Sequence, residues 1–423
     1  MRFLLLLCAV CALAGTAWGD DDDAPAGQLA PYRAPQAGAQ SYAALFTPEF
    51  RVEGNIVGGL IDDPVQRGLN GNAGRISVAE AGIAMRSYVD PYFQFDFEIS
   101  GGEGFEGETR SSSFGIQAAY ATLLRGEWGF WARIGRQPTS FGEYNDSDPD
   151  ANPFVTAPDV IIQYFGEDDG YIDTGIEVNW NVPIFDSSHI FWLGLLNGDN
   201  PVVFHDGVEH KPIYIARYEV FYELGPLTGI EAGLNYIQGL NRRETEIGGS
   251  TYVVRGETRF WGLQLKFDFQ PEVDYLYSGV KIGGEYFHQD RDYFRNKGLD
   301  KQAEAVGLNT SRSESTDGWY LKLFYKFTRN WDTSIRLDHA PERVVDFSAD
   351  PAASDSAPPA GPGAYTIFGS NTIEATSWAL SYHPSRFSTV RGQYTHKTVG
   401  NQDWNEVWLQ LQVLIGFERP DVF

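Results

Sequence analysis

From Phe50 onward the chain repeats one design: a run of about ten residues that alternates between two kinds of side chain, then a break. Sixteen such runs can be marked, near residues 49–60, 77–89, 92–100, 114–124, 129–137, 174–182, 189–197, 212–224, 229–239, 255–269, 279–288, 317–327, 331–339, 373–382, 389–396 and 406–417. A period of two means extended strands whose faces meet different surroundings. The breaks alternate in length. Residues 90–91, 125–128, 183–188, 225–228, 328–330 and 383–388 are tight connections, and 270–278 is the loosest of that set. Residues 101–113, 138–173, 198–211, 240–254, 289–316 and 340–372 are long ones. Short turns on one rim and long loops on the other describe a barrel that crosses a membrane with an even number of strands. A soluble sandwich has no reason to sort its connections this way. The expected fold is all-β: a transmembrane antiparallel β-barrel of sixteen strands, with short periplasmic turns and long extracellular loops.

The two faces of each run support that expectation. In the last run, Val407, Leu409, Leu411, Val413, Ile415 and Phe417 share one face, opposite Trp408, Gln410, Gln412, Leu414 and Gly416. Trp319, Leu321, Leu323, Tyr325 and Phe327 alternate with Tyr320, Lys322, Phe324 and Lys326. Trp261, Leu263, Leu265, Phe267 and Phe269 alternate with Gln264, Lys266 and Asp268, and Phe93, Phe95, Phe97 and Ile99 with Gln94, Asp96 and Glu98. The apolar sets should face lipid and the polar sets a wet lumen, because a charge on the lipid face costs about 2–4 kcal/mol near the midplane. Trp128, Trp331, Tyr382 and Phe387 lie at the short turns, where an interfacial aromatic girdle belongs.

Composition excludes competing classes. A formal charge of −25 argues against a nucleic-acid partner. A mean hydropathy of −0.31 argues against a helical membrane protein. At the N-terminus Arg2, the apolar stretch from Phe3 to Leu13 and Ala17-Trp18-Gly19 read as a signal peptide over residues 1–19. Both cysteines, Cys8 and Cys11, fall in it, so the exported chain should lack disulfides. Residues 20–45, acidic and then rich in Ala, Pro and Gly, read as a disordered periplasmic segment, and residues 46–423 as the barrel.

Sixteen strands enclose a channel too wide for wall side chains to fill. The longest break, 138–173, contains apolar stretches that an exposed loop would not need, Pro153-Phe154-Val155 and Val160-Ile161-Ile162. It is therefore expected to fold inward and constrict the pore. It carries Glu143, Asp146, Asp148, Asp150, Asp159, Glu167, Asp168 and Asp169 and no Lys or Arg. At a constriction these acids favour cations, whereas acids facing outside water do not act as a filter. Expected inward bases are Arg51, Arg86, Arg133, Arg217, Lys266, Lys281, Lys322, Lys326, Arg336 and Arg391. Expected inward acids are Glu53, Asp96, Glu98, Glu177, Glu219, Asp268, Glu285 and Asp338. Such a wall either sets a transverse field or pairs its charges between neighbouring strands.

Early runs put small residues on the apolar side, Gly54, Gly58, Ala79, Ala81 and Ala118, which suits a subunit interface. No metal, cofactor or catalytic centre is expected. Asp146-Ser147-Asp148-Pro149-Asp150 opens like a calcium loop, but Ala151 and Ala157 stand where Gly and Glu are needed. His205-Asp206-Gly207-Val208-Glu209-His210 reads as a solvated loop. The seven histidines lie mostly at strand ends or in loops, and no G-x-S-x-G motif is present.

With these features together, the chain resembles the Gram-negative outer-membrane porins, closest to the phosphate-selective porin-like family. Gly135-Arg136-Gln137-Pro138-Thr139-Ser140-Phe141-Gly142 resembles that family's G-x-x-x-x-P-F-G entry to the constriction loop, with Ser140 where the pattern has Pro. Leu193-Gly194-Leu195-Leu196-Asn197-Gly198 resembles its later strand ending in Asn-Gly. The resemblance implies a homotrimeric channel, surrounded by outer-membrane lipid and lipopolysaccharide, that passes small hydrophilic solutes and ions. It does not carry phosphate specificity across, since an acidic loop is not an anion filter. Phe417 is expected to close the barrel, with residues 418–423 as a short tail. The alternative is a non-conducting adhesin or receptor acting through the loops 289–316 and 340–372.

Overall fold

A computed structural model describes residues 48–62, 75–106, 109–124, 129–146, 152–166, 170–184, 187–198, 200, 203–204, 211–225, 227–247, 250–269, 278–297, 310–345 and 366–416. The signal and lead segments, the His205–His210 stretch, Trp128, Phe417 and the tail lie outside these residues.

The sixteen runs become sixteen strands: β1 (Glu49–Ile61), β2 (Arg75–Tyr88), β3 (Phe93–Glu106), β4 (Thr109–Leu123), β5 (Phe130–Pro138), β6 (Ile172–Ile184), β7 (Ser187–Leu196), β8 (Ile213–Gly225), β9 (Thr228–Ile247), β10 (Ser250–Phe269), β11 (Gly279–Lys297), β12 (Thr310–Thr328), β13 (Trp331–Val345), β14 (Thr366–Ser385), β15 (Ser388–Val399) and β16 (Gln402–Gly416). Each pairs antiparallel with its sequence neighbours, and β1 pairs with β16 from Arg51↔Gly416 to Ile61↔Glu406. The sheet is closed, so no strand edge is left to water or lipid at the seam. Two helices interrupt the β pattern between β5 and β6: α1 (Gly142–Asp146) and α2 (Asp159–Phe165).

The alternation sorts as the two-solvent argument requires. On β10, Trp261, Leu263 and Leu265 face out at 55%, 52% and 56% exposure, while Gln264 and Lys266 between them are 4% and 7% exposed. The same holds on β12 for Trp319, Leu321, Leu323, Tyr325 and Phe327, and on β16 for Val407, Leu409 and Leu411. Trp331 packs on Tyr382 beside the turns, with ring centroids 4.7 Å apart and planes tilted by 37°, and both rings are outward.

Tight turns close one rim by local bonds. The amides of Tyr92 and Phe93 donate to Asp90 Oδ1 at 2.7 and 2.8 Å, and Trp331 N donates to Thr328 Oγ1 at 3.1 Å. On the other rim several expected loops are strand. Glu106 pairs with Thr109 and Ile247 with Ser250, so these hairpins close without a long loop. Breaks 101–113 and 240–254 are therefore corrected to hairpins, and β11 and β12 each extend into 289–316. The physical reason is that alternation stops marking a strand once both faces are in water.

One side chain expected outside is inside. Glu98 pairs with Ala118, but Ile99 pairs with Ile116, so Gln117 is an extra residue and the register shifts there. Ala118 then shares the inward face of Glu98 and is buried. Gly54 and Ala81 are opposite each other on the outward face, and Ala119 pairs with outward Phe97 in place of Ala118.

Candidate functional site

The candidate site is the lumen and the segment that crosses it. Every strand carries at least one buried inward side chain. The segment that folds into the lumen begins where β5 ends. Gly142 has φ +86°, and a Cβ there would lie 2.4 Å from Glu285 Oε1, so only glycine lets the backbone turn this close to the wall.

The wall grips the start of this segment mostly through its backbone. Ser140 N donates to Glu177 Oε1 at 3.0 Å and Gly142 N to Asn235 Oδ1 at 3.1 Å. Glu143 N and Tyr144 N donate to the two oxygens of Glu285 at 2.7 and 3.1 Å. Tyr320 Oη also donates to Glu285, at 2.6 Å. Arg217 donates to the carbonyls of Ser140 and Gly142, both at 3.3 Å, and to Asp146 at 3.1 Å. Arg133 joins Glu177 at 2.8 Å and lies 3.7 Å from Asp146. Lys322 donates to Glu143 at 3.1 Å. Burial pushes the Glu143 carboxyl up, but Lys322 and Lys266 outweigh it, and the group sits below its ordinary value.

A second grip holds the segment between Phe154 and α2. Arg391 donates to Phe154 O at 3.3 Å, and Val155 N donates to Gln393 Oε1 at 2.6 Å. Gln393 Nε2 donates to Thr156 Oγ1 at 2.9 Å. Arg336 donates to Thr156 O and Ala157 O at 2.6 and 3.0 Å, with its guanidinium 4.7 Å from the centre of the Phe154 ring. Asp159 accepts from Lys397 at 2.7 Å, and its own amide points to Asp338 at 3.3 Å.

Between the two grips lies an apolar core inside the barrel. Phe141 packs on Phe287, Phe165 and Phe260 with ring centroids 5.7, 6.0 and 6.1 Å apart, and Tyr164 packs on Phe260 at 5.1 Å. Val160 and Ile161 are fully buried in it, with Leu196, Ile213, Ile215 and Ile237 from the wall. The wall partners are inward residues at the extracellular ends of consecutive strands. Their signal in the sequence is an apolar side chain in the polar register, such as Phe260 between Thr258 and Gln264.

All ten expected bases face inward. Arg133, Arg217, Lys322, Arg336 and Arg391 meet the folded-in segment. Arg86 instead pairs across strands with Asp96 at 2.7 Å, and Arg51 pairs with Glu53 on its own strand. Lys266 lies 3.5 Å from Glu231 and Lys281 lies 3.8 Å from Asp268. Lys326 faces inward, half-buried. Of the eight loop acids, Glu143, Asp146 and Asp159 are described, and each meets a wall base. Asp148, Asp150, Glu167, Asp168 and Asp169 lie outside the described residues. Sequence reasoning missed the inward acids Glu231, Asp332 and Glu406, and the base Lys397, which lies one residue beyond the run that ended at His396. Glu53, Glu80 and Glu98 bring carboxylate oxygens within 4.8 Å of one another, with Arg51 on Glu53.

No family model matches the chain. An uncharacterised protein of Aquifex aeolicus (strain VF5) is 26% identical over 359 residues, 79% of this chain and 67% of that one. Among solved structures, a loop-deletion form of OmpT, an outer membrane protein of Vibrio cholerae, superposes with a TM-score of 0.52 at 9% identity, covering 88% of this chain and 100% of that one. The fold is that of an outer-membrane barrel. OprB of Pseudomonas putida matches with a TM-score of 0.52 at 10% identity over 88% and 95% of the two chains. A porin of Comamonas acidovorans, described as anion-selective, matches at 0.50 and 11% identity over 87% and 99%. Fold, closure and apolar exterior together place the protein in the outer membrane.

Proposed function

We propose that the protein is a porin, a passive diffusion channel for small hydrophilic solutes and ions. The observation that carries this reading is a closed sixteen-stranded barrel with a polar inner wall, crossed by a segment held to that wall. A surface adhesin does not need a lumen-spanning segment anchored by buried charges. The resemblance to the phosphate-selective porin-like family supports the channel class, and phosphate specificity is not part of the proposal. The proposed cation preference is weak. The described loop acids Glu143, Asp146 and Asp159 are each balanced by a wall base, which removes most of their field from a passing ion. We further propose a homotrimer that associates through the outward small residues of the early strands, including Gly54 and Ala81.

The test is to fold the mature chain into a planar lipid bilayer and record current under a KCl gradient. Stepwise openings with a mildly cation-selective reversal potential are expected. A strongly anion-selective potential would keep the channel and remove the cation preference. Silence from a correctly folded barrel would remove the channel and leave the adhesin or receptor.

A further inference from the structure

The bases on β13 and β15 are inward, as the sequence predicts, where they could set a field for solute or pair between neighbouring strands. Their donors point elsewhere. Phe154, Val155, Thr156 and Ala157 are four successive residues, and each is bonded by Arg336, Arg391 or Gln393. Most of these bonds read backbone carbonyls and an amide, so they fix where the chain runs whatever its side chains are. The other donors are also engaged locally: Arg336 donates to the carboxylate of Asp338 at 2.7 Å, which offsets its charge, and Arg391 donates to the neutral side chains of Gln410 at 2.8 Å and Ser381 at 3.0 Å. Arg336, Arg391 and Gln393 are all buried. A guanidinium whose donors are spent on carbonyls, and which water scarcely reaches, has little left to offer a passing anion.

We infer that Arg391 and Gln393, with Arg336, are positioning residues that set the bore of the channel by holding residues 154–157 against the wall, and that they are not its ion filter. The inference rests on the porin reading and deepens it. Gln393 separates the two roles because it carries no charge, yet it makes two of the bonds to the segment, at 2.6 and 2.9 Å. Arg391 separates them in another way. Lysine keeps its charge but lacks the planar fork that reaches Phe154 O, Ser381 and Gln410 together.

The experiment compares wild type with Gln393→Ala, Arg391→Lys and Arg391→Gln in planar bilayers. It records single-channel conductance, the reversal potential under a KCl gradient, and the largest neutral sugar admitted in liposome swelling. Folding is checked by heat-modifiable migration on a gel. Thr156→Val, which removes the partner of Gln393 from the loop side, serves if Gln393→Ala does not fold. Loosening the grip is expected to raise conductance up to about twofold and admit larger sugars, with the reversal potential unchanged. Unchanged conductance and sugar limit in a folded Gln393→Ala would overturn the inference and keep the porin. So would an Arg391→Lys with wild-type conductance and sugar limit beside an Arg391→Gln that shifts the reversal potential, because Arg391 would then act through its charge. A folded wild type that passes neither ions nor sugars would overturn both.

Discussion

Glu285 shows what single residues do in this lumen. Its carboxylate accepts the amides of Glu143 and Tyr144 and the hydroxyl of Tyr320, all in a buried setting. Glu285→Ala strands these donors at about 1–3 kcal/mol each. The expected outcome is a barrel that still folds, since none of these bonds is part of the strand ladder, with the segment around α1 newly open to protease. Limited proteolysis beside a gel-shift folding assay checks both halves. Glu143 predicts a pH response. Its carboxyl lies below its ordinary value because Lys322 and Lys266 outweigh the effect of burial. A depressed folded value means that the Glu143–Lys322 contact stabilises the fold fully above the unfolded value of about 4.3, and loses that contribution as pH falls through the lower folded value. Protease cutting near α1 should therefore begin to rise as pH falls below about 4.3. Glu143→Gln should remove the contribution at neutral pH and abolish that step. The charges themselves were readable from the sequence. Their partners were not, because Arg336 and Ala157 are 179 residues apart and Val155 and Gln393 are 238 apart.

At the scale of the strand, alternation is both the signal and the constraint. Leu263 faces lipid and Gln264 faces the lumen. Leu263→Arg is expected to cost about 2–4 kcal/mol in a denaturant titration in vesicles, against a much smaller change for Gln264→Arg. Near-equal losses would mean that β10 is out of register. The β3–β4 pair shows where a period of two misleads. The extra Gln117 turns Ala118 inward and sets Ala119 outward, and only the partner strand reveals that shift. Strand length was also understated. β9, β10 and β14 run for 20 residues each. At a tilt of about 40° such a strand rises roughly 50 Å, about twice the apolar band. The excess stands in water, where nothing imposes alternation. Removing residues 241–255 and joining the ends with a short turn should leave folding and the β8–β9 pairing intact, as judged by heat-modifiable migration.

For the whole molecule, the predicted association is through the early strands. Gly54→Trp combined with Ala81→Trp should convert the oligomer to monomer on a native gel without lowering the protomer's own stability, while Leu323→Trp on the far side should leave the oligomer unchanged. An intact oligomer in the first variant would remove the proposed interface. Strand number, direction and sidedness, and the closed barrel that follows from them, were determined by the sequence alone. The reason is that the bilayer imposes a local rule: each side chain is sorted by parity against one of two solvents within ten residues or so. The tertiary structure alone decided the interior. Whether Arg336 meets a solute or a carbonyl, and whether Phe260 faces lipid or an inner core, depends on a segment that meets the wall nearly two hundred residues away in the chain. Such contacts arise from three-dimensional packing and leave no period in the sequence.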